Sequence, residues 1–133
     1  MTLKKTELLN VTSVTGIATV GILTVGTTPT AGGVGIASTT YIRSIVMHNT
    51  GLGTARTSLY LYPSSQAVSG VGVTQYRILR VDLAPSETTF FETNYPITMT
   101  NQDKLVVEIT APDSGGSGIG SAVNFLVNGD TDI

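Results

Sequence analysis

Apolar residues in this chain recur at every second position, in short runs rich in Val, Ile, Thr and Tyr. Leu79, Val81 and Leu83 alternate with Ile78, Arg80 and Asp82; Leu105, Val107 and Ile109 alternate with Val106, Glu108 and Thr110. Val123, Phe125 and Val127 likewise alternate with Asn124, Leu126 and Asn128. Successive side chains of an extended strand point to opposite faces, so each triplet shares one face. These triplets are the expected core.

No window carries a sustained 3.6-residue period, and helices are not expected. Strands are expected over 15–25, 40–49, 55–62, 74–83, 87–93, 95–100, 103–111 and 121–129. The joints over 27–39, 62–72 and 111–121 are rich in Gly, Ser and Thr. The joint over 83–89 is tighter, with Pro85 suited to the second position of a turn. About eight strands with such joints predict an all-β fold, an antiparallel β-sandwich of jelly-roll type.

A length of 133 residues is that of one domain, and neither a repeat nor a linker divides 1–133. The opening "MTLKKTELLN", polar with an apolar end, reads as a short N-terminal arm over about residues 1–10. Lys4 and Lys5 are followed by Glu7, Asn10 and Thr12, which interrupt the apolar run that a signal peptide needs. The most apolar stretch, 16–26, is too short and too broken by Thr and Gly to span a bilayer. No membrane contact is expected.

Charge is the compositional oddity. Asp, Glu, Lys and Arg make up 12% of residues, against about 25% in ordinary soluble domains. A net charge of −2 provides no basic surface, so direct nucleic-acid binding is not expected. Absence of cysteine excludes disulfides, thiolate metal sites and a cysteine nucleophile. A sparsely charged surface is explained if partners cover much of it.

The single histidine, His48, closes the stretch "YIRSIVMHNTG". A serine or threonine nucleophile would need it as a base, yet no Ser stands in a Gly-x-Ser-x-Gly elbow. The nearest approach, Ser117 in "GGSGIG", lies in a loop. His48 is therefore read as structural, its neighbour Asn49 as suited to unusual backbone angles at the turn. The Gly-rich segments lack the Lys-Ser/Thr and the following helix of a phosphate cradle. Asp130 and Asp132 resemble half a calcium loop with no glutamate to complete it. Glu87, Glu92, Asp103 and Glu108 are the carboxylates a fold could bring together, but no Trp and 6% aromatics give no sugar-binding groove. No catalytic, cofactor or metal residue is assigned, and the chain is not expected to be an enzyme.

Four segments carry a resemblance: "YIRSIVMHNTG", "TSLYLYP", "YRILRVDLAPSETTFFETNYPITMTNQDKLVVEITA" and "SAVNFLVNGDTDI". Over roughly 40–133 the chain resembles small virion structural proteins of tailed bacteriophages, cyanophages included. The resemblance implies a β-sandwich that forms homotrimers on the outer head surface and reinforces the shell as a cement or decoration protein. It implies assembly in the host cytoplasm, with the major capsid protein and the chain itself as partners. The matching motifs are scaffold patterns rather than an active-site signature. The alternative is a tail or tail-spike-associated module that binds host-surface glycans, for which Tyr41, Tyr60, Tyr62 and Tyr76 would be the stacking residues.

Composition alone predicts an oligomer; the number three comes from the resemblance. The candidate interface residues are the outward apolar side chains Tyr60, Tyr62, Ile78 and Leu126, with Leu3, Leu8 and Leu9 on the arm.

Overall fold

The alternating runs do form strands. The computed structural model describes residues 3–25, 27–29, 35–37, 39–100, 102–110 and 122–132. In chain order the strands are β1 (Leu3–Thr15), β2 (Ala18–Thr24), β3 (Thr27–Pro29), β4 (Gly35–Ala37) and β5 (Thr39–Asn49). They continue with β6 (Ala55–Tyr62), β7 (Arg77–Leu83), β8 (Thr88–Thr100), β9 (Lys104–Thr110) and β10 (Ala122–Asp132). One 3-10 turn, Thr74–Tyr76, precedes β7. The first sheet runs β1-β10-β5-β8 and the second β2-β9-β6-β7, each antiparallel throughout; β3 and β4 form a separate ribbon. This is the expected all-β sandwich.

The core lies between the two sheets. Leu83, Leu105, Val107, Ile109, Val123, Phe125 and Val127 are buried there with Ile42, Ile45, Met47, Leu59 and Met99, and Leu79 and Val81 pack against them half-buried. All three expected triplets therefore face inward. A fully buried side chain of this size stabilises by roughly 1.5–3 kcal/mol relative to exposure.

The segment read as an arm is a strand. Residues 3–15 form the edge of the first sheet, paired with β10 from Leu3 opposite Asp132 to Thr15 opposite Ala122. Leu8 and Leu9 pack half-buried against the core, so they hold the domain together rather than reach away from it. Register shifts between Glu7 and Leu9 and between Leu9 and Thr12 break the two-residue rhythm that would have announced this strand.

Expected strands 87–93 and 95–100 are one strand, β8, despite Pro96. β8 is the other edge of its sheet, and its pairing skips from Ile42–Ile97 to Ser44–Glu92, so Pro96 sits at an irregularity where no ladder donor is needed. Pro85 holds its expected place: the Glu87 amide donates to the Ala84 carbonyl at 3.0 Å, and Ser86 takes φ 67°. The turn after β8 repeats the device. The Asp103 amide donates to the Thr100 carbonyl at 2.9 Å, and Gln102 takes φ 68°.

Candidate functional site: the outer face of the first sheet

Strand register brings together side chains that lie far apart in sequence. Leu126 on β10 is opposite Val46 on β5, and Val46 is opposite Phe90 on β8. On the far side of β10, Val11 lies at the irregular stretch of β1 between the partners of Val127 and Phe125. The four form an apolar row across all four strands on the solvent side of the sheet, with Phe90 63% and Val11 65% exposed. Between Val11, Leu126, Val46 and His48 the face dips into a depression of about 240 Å³.

Polar rows bound this stripe. On one side Ser13, Asn124, His48 and Thr88 lie opposite one another in turn; on the other, Asn128, Ser44 and Glu92 do. His48 Nδ1 and Thr88 Oγ1 share a 2.7 Å hydrogen bond across the strands. Among the described residues no carboxylate bonds the His48 ring, so the third member of a nucleophilic triad is missing there. Ser117 lies outside the described residues.

Asn49 has a different role from the one expected. It has no left-handed backbone angle; its side chain does the work instead. Fully buried, it donates through Nδ2 to the carbonyls of Gly53 at 2.9 Å and Leu83 at 2.8 Å, and its Oδ1 accepts from the Gly51 amide at 2.8 Å. Both amide hydrogens and one of the two acceptor sites of its oxygen go into fixing the loop after β5 and the end of β7.

The expectation that Tyr60 and Tyr62 face outward for a partner is overturned. They are 2% and 1% exposed, packed with Val106, Val73 and Tyr76 beneath the segment 63–76, which folds back over the second sheet. Glu108 fastens that segment. It accepts from the Tyr60 hydroxyl at 2.6 Å, the Gly72 amide at 3.0 Å and the Thr19 hydroxyl at 3.3 Å. The Val73 amide donates to Tyr62 Oη at 2.8 Å, and Lys104 Nζ to the Gln66 carbonyl at 3.0 Å. A Cβ at Gly72 would run into the Tyr60 ring, which is why glycine stands where the segment touches down. Burial, reinforced by the Glu108 carboxylate, raises the Tyr60 phenol above its ordinary pKa. A signal was present in sequence: "LYLY" is a continuous apolar run, the mark of a strand covered on both faces.

Of the other sequence candidates, Ile78 is 38% exposed on β7 and Leu126 is half-buried within the row. Leu3 is placed by its pairing; its side chain lies outside what the structure describes. Glu87 and Asp103 accept the amides of Ala84 and Thr100 within their own turns, while Glu92 is exposed on β8. Glu87 and Asp103 thus serve separate turns and Glu92 stands on a strand, not in a shared centre. Asp130 lies on β10, 2% exposed, in an ion pair with Arg43 at 2.6 Å, so it forms no half of a calcium loop. Among the described residues no group of three or more His, Asp or Glu could hold a metal ion.

No protein-family model matches the chain, nor does any curated protein. Among solved structures it is similar to a chain in the structure of infectious bursal disease virus Gt strain, at 12% identity and a TM-score of 0.37, over 98% of this chain and 32% of that one. A second similarity is to a chain in the structure of the Gx strain of that virus, at 8% identity and a TM-score of 0.25, over 98% of this chain and 41% of that one. This chain spans less than half the length of either.

Proposed function

We propose that this chain is a non-enzymatic virion structural protein, a capsid cement or decoration subunit that binds the outer head surface as a homotrimer and reinforces the shell. The observation that carries the assembly part is the apolar row of half-buried Leu126 and Val46 between exposed Val11 and Phe90, on a chain with few charges. Exposed rows of this kind mark surfaces that bind other proteins. Resemblance to phage virion proteins supplies the setting, the number of copies and the major capsid protein as partner. The glycan-binding alternative loses support, since Tyr60 and Tyr62 are withdrawn into the molecule.

Sedimentation equilibrium of the isolated chain tests the assembly. A trimer at micromolar concentration is expected, and a well-behaved monomer would remove the main ground for the proposal. Immunogold labelling of intact particles from the source that encodes the chain tests the place: label over heads is expected, and label confined to tails would move it there.

A further inference from the structure

The outer face of the second sheet carries a patch that complements the apolar row. On β7, Arg77, Ile78 and Arg80 are exposed around the inward Leu79, with Ile78 the residue that the register against β6 skips and Arg77 opposite Tyr60. Arg77 and Arg80 make no hydrogen bond or ion pair among the described residues, whereas Arg56 on β6 is paired with Asp82 at 2.8 Å. On β8, Phe90 and Glu92 occupy outward positions two apart, and Glu92 likewise has no ion-pair partner among the described residues. Both strands thus present an apolar side chain and, two residues on, a charge of opposite sign with no ion pair among the described residues. Arg80 also acts on the Asp82 carboxylate that Arg56 holds. Both are edge strands of their sheets, joined through the turn at 84–87, so the patches flank one edge of the sandwich on opposite faces.

We propose that these patches bind each other across copies: Ile78 of one copy lies on the Phe90–Val46–Leu126 row of the next, and its Arg80 meets the neighbour's Glu92. Such a contact is heterologous, each copy using a different face on either side, and it closes into a ring when the rotation allows. Patches flanking one edge place that edge at the ring's axis. A face-to-face pair of first sheets would cover the row but leave Arg77 and Arg80 facing water. The inference rests on the reading of this chain as a self-associating subunit.

Charge exchange within one chain tests it by sedimentation velocity, with circular dichroism to verify the fold of each variant. Arg80→Glu alone and Glu92→Arg alone are each expected to weaken association about 100-fold, because like charges then meet. The double variant Arg80→Glu/Glu92→Arg is expected to restore the oligomer, since every interface again joins opposite charges. If Glu92→Arg dissociates the oligomer while Arg80→Glu does not, or if the double variant fails to recover, the heterologous contact is wrong and the assembly reading stands. A monomeric wild type overturns both.

Discussion

The Asn49 side-chain amide donates to the Leu83 carbonyl at 2.8 Å across 34 residues of chain. Asn49 ends β5 in the first sheet and Leu83 ends β7 in the second, so this bond ties the sheets together at one end of the sandwich. The backbone reinforces it, with the Ser86 amide donating to the Asn49 carbonyl at 2.8 Å and the Asn49 amide to the Glu87 carbonyl at 3.0 Å.

Asn49→Ala leaves the Leu83 and Gly53 carbonyls and the Gly51 amide without their side-chain partner. A loss of about 2–4 kcal/mol is expected, from groups left unsatisfied in a buried setting. Asn49→Asp keeps the acceptor but removes both donated bonds, and should also destabilise. Urea unfolding of both variants measures this, and a wild-type midpoint for either would show that the tie is dispensable.

Tyr60 makes stability fall at alkaline pH. Its phenol is raised above 10.0 by burial and by Glu108, so the folded chain holds the proton more tightly than the unfolded one. That contribution is complete below the unfolded value and is lost as pH rises through the folded value. Tyr60→Phe should flatten the alkaline limb of the stability profile while costing about 1 kcal/mol at neutral pH for the lost bond to Glu108. Thermal melts between neutral pH and the alkaline limit decide this, and an unchanged limb would count against the assignment.

Thr57 faces the core from β6 with a buried hydroxyl that finds no hydrogen-bond partner among the described residues. Thr57→Val replaces the hydroxyl by a methyl group of similar shape and should stabilise by about 1 kcal/mol. A higher urea midpoint with an unchanged slope is the expected result. Destabilisation would mean that the hydroxyl is satisfied by a bound water.

Leu9 distinguishes a strand from an arm. Packed against the core from β1, it should cost about 1–2 kcal/mol when changed to Ala, less than a fully buried leucine because it is half-buried. A free arm would tolerate the change with no shift in melting temperature.

Individual faces of individual strands were legible because alternation is a local property. Leu105, Val107 and Ile109 had to share a face wherever β9 lay, and Pro85 had to start a turn whatever it joined. The same logic failed at β1, where two register irregularities erase the alternation over Leu8, Leu9 and Val11. It failed again at Tyr60 and Tyr62, whose face is outward with respect to the sandwich yet lies under the chain that follows them.

Alternation along the chain therefore determined most of the strands, though not β1, β3 or β4, with their inward faces and the all-β class. Only the tertiary structure decided that residues 3–15 close the first sheet and that Glu108 pins a loop over the second. It also decided that Val11, Val46, Phe90 and Leu126 form one row. The reason is range: side-chain direction within a strand follows from steric relations between adjacent residues, whereas strand order and register follow from how all the inward faces pack at once.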